Sequence, residues 1–157
     1  MTRLYGRAPA GDRVVSGVPQ NYGPNVTMLG TLGIHGLQAV MTVEGATDAD
    51  VFRTYVKQVL GPTLIPGDIV VMDNLQAHKA VGIQQALARR GARLLYLPPY
   101  SPDLSPIEPC WSKVKTGLRK AKARTREALD TAIAAVRVTV SLADAWGWFK
   151  HCGYSLQ

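Results

Sequence analysis

The stretch Ile69-Val70-Val71-Met72-Asp73-Asn74 decides how the rest of the chain is read. Asp68 to Met72 ends in four consecutive apolar residues, three of them β-branched, bounded upstream by Pro66-Gly67. A run this short with no polar alternation predicts a strand buried on both faces, the kind found in sheets covered by helices. Asp73 follows at once. A carboxylate at the carboxyl end of such a strand lies where α/β sheets place their ligands. The same Asp73-Asn74 pair also reads as a turn that caps the next helix, and position alone does not choose between the two.

Working outward toward the C-terminus, the pattern predicts a helix from near His78 to Arg90, closed by Gly91. Arg93–Leu97 reads as a second buried strand. Pro98-Pro99-Tyr100-Ser101-Pro102 is a rigid loop, followed by a helix from about Pro106 to Lys122. A further helix begins after Thr125, with Leu129, Ile133, Val136 and Val140 as its buried stripe, and a short one covers Leu142–His151. Toward the N-terminus, Thr47 is the expected N-cap of a helix over Asp48–Leu60, with Asp50 three residues on. Asn25–Ile34 and Leu37–Val43 read as two strands joined by a turn at His35-Gly36. The first twenty or so residues are irregular, with a short extended piece near Arg13–Val18. Hairpin strands followed by strand–helix alternation imply an α/β fold, a mixed sheet flanked by helices. The 157 residues fit a single domain over 1–157.

Glu108 is the second candidate carboxylate. Ser105-Pro106-Ile107-Glu108 has the form of a capping box, with Ser105 at the N-cap and Glu108 at the third helical position. That alone explains a glutamate there, yet a side chain held at a helix start is also rigid enough to bind a metal. Ile107, Trp111, Val114 and Leu118 form the apolar stripe of this helix. At ~100° per residue Glu108 lies on the flank of the stripe together with Lys115, Arg119 and Lys122. From Pro109 to Arg126 there are seven basic residues, Lys113 among them, and no acid. The run reads either as a solvated face or as a track for a nucleic-acid backbone, whose phosphate contacts salt would weaken.

Composition narrows the class. The hydrophobic fraction is 46% and the charged fraction 18%, the balance of a globular chain. The net charge of +7 favours a polyanionic partner. No apolar run approaches the roughly 18 residues of a membrane span, and the N-terminus has no signal-peptide pattern, so the chain reads as cytoplasmic with no membrane partner. Cys110 and Cys152 form no Cys-x-x-Cys pair and the three histidines are far apart, which speaks against structural zinc.

The segment Gly67–Lys115 resembles the DDE catalytic core of mariner-superfamily transposases, in particular the bacterial insertion-sequence branch. The matching pieces are Val70-Val71-Met72-Asp73-Asn74 with His78 and Lys79, then the run from Pro98 through Pro102-Asp103-Leu104-Ser105-Pro106-Ile107-Glu108 with Trp111 and Lys115 behind it. The 34 residues between Asp73 and Glu108 (74–107) are a spacing that superfamily often uses. Tyr5-Gly6-Arg7-Ala8-Pro9 also resembles it.

The resemblance implies a ribonuclease H-like fold and a site for two Mg²⁺ (or Mn²⁺) ions held by three acids, with Asp73 second and Glu108 third. Such ions take hard oxygen ligands and keep positions open for phosphate. It implies cleavage of DNA at insertion-sequence ends and transfer into target DNA. Asn74, His78 and Asp103 are expected in supporting roles, and Lys113, Lys115, Arg119 and Lys122 against DNA. The family's first acid sits on a strand upstream of the Tyr5–Pro9 segment, and Met1 lies four residues before Tyr5. The sequence therefore leads to the expectation of a two-metal site left incomplete, a first strand missing, and an isolated chain that is unstable or associates with an upstream transposase segment or with itself. A second expectation is a non-catalytic remnant that at most binds DNA. Another ribonuclease H-like nuclease, such as a junction resolvase, is a third reading, against which the Pro98–Pro102 loop argues.

Overall fold

The computed structural model describes residues 5–15, 17 and 24–155. Strands β1 (Val26–Gly33) and β2 (Gly36–Glu44) form an antiparallel hairpin. Helix α1 (Ala49–Tyr55) continues through a π-helical turn, Val56–Leu60, and a 3₁₀ turn, Gly61–Thr63. Strand β3 (Ile69–Met72), a 3₁₀ turn (Gln76–Lys79), helix α2 (Ile83–Ala88) and strand β4 (Arg93–Tyr96) form a parallel crossover unit. A 3₁₀ turn (Pro102–Leu104) leads into α3 (Ile107–Ala121), followed by α4 (Arg126–Arg137) and α5 (Leu142–His151).

The hairpin separates two apolar cores. Leu29, Ala39 and Met41 pack on a core of Phe52, Tyr55, Val56, Leu60, Val70, Met72, Ile83 and Leu87. Met28, Leu32, Leu37 and Val40 belong to the other core, with Cys110, Val114 and Leu118 of α3 and Ile133 and Val136 of α4. Alternation along a strand sends neighbours to opposite faces, which is how one hairpin serves both cores. A bulge opposite Leu29–Thr31 adds a residue to β2 and puts Ala39 in the left-handed region at φ 46°. Burial of Leu60, Ile83 and Leu87, each at most 2% exposed, contributes ~1.5–3 kcal/mol per side chain.

Two contacts depend on glycine. Gly36 opens β2 at φ +105°, and a Cβ there would lie 2.8 Å from the Val140 carbonyl oxygen. Gly117 lets α3 and α4 meet closely, since its Cβ would lie 2.7 Å from Val136. Arg126 ties α4 to the hairpin, donating to Thr42 Oγ1 at 2.8 Å and to Asp130 at 2.9 Å.

Several sequence expectations need correction. The antiparallel and parallel pairings are both present, but among the described residues they form two separate two-stranded sheets. Strand β3 is buried on one face only. Val70 and Met72 enter the core while Ile69 and Val71 are 47% and 38% exposed, because no described element covers their side. Strand β4 is likewise more exposed than its sequence implied. The helix expected over His78–Arg90 breaks, since Gly82 at φ +90° separates the 3₁₀ turn from α2. Asp48, not Thr47, caps α1, its Oδ1 accepting from Asp50 and Val51 amides at 2.9 and 2.8 Å; the Thr47 hydroxyl is buried without a partner. The hairpin turn is Ile34-His35. Arg13–Val15 are irregular, and Ser16 and Val18 lie outside the described residues.

Candidate active site

Strand β3 ends in the core at Met72, and the ladder to β4 closes with the Leu97 amide donating to the Met72 carbonyl at 2.8 Å. The chain then turns outward and presents Asp73. Its Oδ1 accepts from the Leu75 amide at 3.0 Å, so the aspartate builds its own turn. Asn74 donates its side-chain amide to the Leu97 carbonyl, fastening this turn to the end of β4. The pair thus forms a turn, although no side chain caps the 3₁₀ turn that follows, and the Asp73 carboxylate stands half-exposed at the strand end.

His78 stands behind Asp73. Its Nδ1 lies 2.6 Å from Asp73 Oδ1, an ion-pair distance, though the alignment does not make a hydrogen bond. The imidazole packs on Phe52 with ring centroids 4.3 Å apart, and its backbone carbonyl accepts from Tyr96 Oη at 2.9 Å. Phe52 and Tyr96 were not singled out from the sequence. Nothing in a helical apolar pattern distinguishes a core phenylalanine from one that also backs a histidine.

Glu108 reaches the same place from the opposite direction. The Ser105–Glu108 capping box does not form: the Ser105 amide that Glu108 would cap already donates to the Pro102 carbonyl at 3.0 Å, and α3 begins at Ile107 with Pro106 at the N-cap position and no side-chain cap. The Ser105 backbone carbonyl instead accepts from the Glu108 amide at 3.1 Å. Glu108 is therefore free of the backbone bond that would have explained it, and its side chain is exposed. The preceding loop is pinned from the C-terminal end by Tyr154 Oη, which donates to the Leu104 carbonyl at 2.9 Å.

Asp73 and Glu108 line one cavity of about 200 Å³, with Asn74, Leu97, the Pro98–Pro102 loop and Ser105 forming the rest of its wall. Asp103 lies in the 3₁₀ turn of that loop but is not part of the wall. Among the described residues no group of three His, Cys, Asp or Glu side chains is placed to share an ion.

The four cations read as a DNA track separate into different settings. Lys115 and Arg119 are exposed on α3, seven and eleven residues after Glu108 and on its flank. Lys122 ends the helix in the left-handed region at φ 50°. Lys113 turns away and donates to Asp144 Oδ2 on α5 at 2.5 Å. Asp144 also accepts from the Ser141 amide and hydroxyl at 2.8 and 2.7 Å. Its carboxyl is pulled down to about 2, first by Lys113 and then by Ser141. Nearby Cys110 is buried, and desolvation followed by the Asp144 charge pushes its thiol up to about 11.

Comparison with known structures supports the fold. The chain is similar to the crystal structure of the Mos1 strand transfer complex, with a TM-score of 0.73 at 14% identity over 97% of this chain and 47% of that one. A pre-cleavage Mos1 transpososome is similar at a TM-score of 0.69 and 12% identity, covering 100% of this chain and 53% of the other. The Mos1 mariner paired end complex with Mn gives 0.66 at 16%, covering 97% and 48%. The chain thus spans about half the length of these chains and shares their ribonuclease H-like α/β architecture. No curated protein sequence matches it. The family model for the DDE superfamily endonuclease matches residues 1–130, and the chain belongs to that family.

Proposed function

We propose that this chain is a transposase catalytic domain that cleaves DNA at insertion-sequence ends and transfers the strand to target DNA with the help of Mg²⁺ or Mn²⁺. One observation carries the reading. Two carboxylates separated by 34 residues (74–107) line a single open cavity, one from a strand end and one from a helix start. Both offer hard oxygen donors. Asp73 Oδ1 accepts from the Leu75 amide, which leaves the other oxygen for an ion. Asp73 and Glu108 would hold the metal, which supplies charge to activate an attacking water or 3′-hydroxyl and to stabilise the leaving oxygen. Asn74 keeps the Asp73 turn on β4, and Lys115 and Arg119 guide the phosphate backbone toward it.

Two carboxylates are fewer than a two-ion site needs, so a further acid comes from another segment, either an upstream transposase segment or a second copy. The setting is the cytoplasm of a bacterium, on the nucleoid when DNA is bound. Among the described residues no helix is long and apolar enough to cross a membrane. The alternative reading is a remnant that binds DNA without cutting it.

Strand cleavage and transfer on oligonucleotide substrates, in Mg²⁺ or Mn²⁺ and with or without an added upstream segment, separate the two. The catalytic reading expects activity that Asp73→Asn and Glu108→Gln each abolish. Activity indifferent to both substitutions would sink it. DNA retention with no cleavage under any pairing would establish the remnant.

A further inference from the structure

Tyr100 is the one fully exposed tyrosine on the wall of the cavity that holds Asp73 and Glu108, at 102% of its reference area. Its backbone is left-handed, at φ 57°, a region disfavoured for any residue with a Cβ and rarer still for a bulky one. Strained backbone carrying a large apolar side chain into solvent gains nothing for the fold, and such outliers cluster at ligand-binding positions.

The loop backbone beneath the ring is restricted. Pro98, Pro99 and Pro102 restrict the backbone on both sides, Ser101 Oγ donates to the Pro99 carbonyl at 3.3 Å, and Tyr154 anchors Leu104 just beyond. An aromatic ring on a stiff loop has only two side-chain torsions left to order, which lowers the entropic cost of binding a flat partner. The partner is set by the neighbourhood. The cavity beside the ring is lined by two carboxylates, and α3 beyond Glu108 carries Lys115 and Arg119. A phosphate chain drawn along those cations brings its bases past the rim.

Building on the catalytic reading above, we propose that Tyr100 is a stacking residue that takes the unpaired nucleobase next to the phosphate entering the Asp73–Glu108 cavity. A base stacked within a duplex offers no free face, so the substrate is unpaired or frayed at that position. Stacking tolerates any base, so Tyr100 selects for an unpaired nucleotide and not for a sequence.

The test uses the full chain carrying Asp73→Asn, which prevents chemistry, and forked oligonucleotides with 2-aminopurine at successive positions around the junction. With Tyr100, quenching is expected at one unpaired position beside the junction. Tyr100→Phe retains it. Tyr100→Asn, which tolerates the left-handed backbone and so preserves the fold, abolishes the quenching and weakens forked-DNA binding by about 5- to 150-fold, with little loss for fully paired duplex. The urea midpoint of Tyr100→Asn is expected at or above that of the parent. Equal forked-DNA affinity and unchanged quenching in Tyr100→Asn would overturn the assignment. A change in sedimentation with DNA binding intact would likewise overturn it and make the ring a contact between copies. DNA that binds but ignores Tyr100 removes this inference alone. A chain that retains no DNA removes the reading beneath it as well.

Discussion

Removing the Asp144 charge tests how α5 is held to α3. Asp144→Asn keeps an oxygen acceptor for the Ser141 amide but loses the charge that meets Lys113 at 2.5 Å. In the folded chain the carboxyl titrates at about 2, against an ordinary value of 3.8. At about 1.4 kcal/mol for each pH unit, that corresponds to at most ~2 kcal/mol. The pair is partly exposed, with 26% of the Asp144 side chain and 38% of Lys113 reaching solvent, and screening by water brings the expected contribution to about 1 kcal/mol.

The pH dependence gives a second check on the same group. A carboxyl whose folded value is depressed contributes stability that is fully present above its unfolded value and is lost as pH falls through the folded one. Urea titrations of the parent and Asp144→Asn from pH 6 downward should therefore differ by a constant amount above the 3.8 region and converge as pH approaches about 2. A gap that stays the same across that window would refute the electrostatic account and assign the loss to helix capping alone. No gap at pH 6 would refute the whole argument.

Two further outcomes follow from named contacts. Gly36→Ala and Gly45→Ala both force a side chain onto a left-handed glycine, but only Gly36 has an obstacle, the Val140 oxygen at 2.8 Å, while Gly45 faces open space; Gly36→Ala should cost ~1–3 kcal/mol more in urea denaturation, and equal costs would show that the turn shifts freely. Lys115→Ala and Arg119→Ala should each make the slope of log affinity for duplex DNA against log salt shallower by ~0.9, whereas Lys113→Ala, already paired with Asp144, should leave that slope alone; a slope unchanged by Lys115 and Arg119 would remove the phosphate track.

What the sequence disclosed depended on whether the deciding partner was near in the chain. The start of α4 after Thr125 was legible, and there the Thr125 hydroxyl accepts from the Ala128 amide three residues on; Ser141 caps α5 in the same way but was not singled out from the sequence. In Thr47-Asp48-Ala49-Asp50 two side chains could cap, and the carboxylate won with two amides at once. The Ser105 box failed because the Ser105 amide is taken by the Pro102 carbonyl of the preceding 3₁₀ turn. Asp73 and Glu108 were legible as candidates from a strand end and a helix start; that they share a site was implied by the family resemblance alone, since periodicity and spacing do not report how the Pro98–Pro102 loop brings them to one cavity. The pairing of Lys113 with Asp144 was not legible either, since the partner lies 31 residues away, on another helix. The open faces of β3 and β4 escaped notice because an apolar run reports what a strand can bury, not what the described chain brings to cover it.

The division of the interior into two cores bears on how the molecule comes apart. Asp73 is carried by β3, rooted among Val70, Met72 and Leu87, while Glu108 belongs to a helix rooted among Cys110, Val114 and Ile133. Each core is a unit that can open by its own local equilibrium. A bound ion or phosphate spanning the two carboxylates is forfeited when either unit opens, so occupancy raises the opening free energy of both by the same binding term. On the proposed reading, the empty protein would open in parts and the loaded one as a whole, with the bound ion or phosphate as the coupling between two halves that share a hairpin.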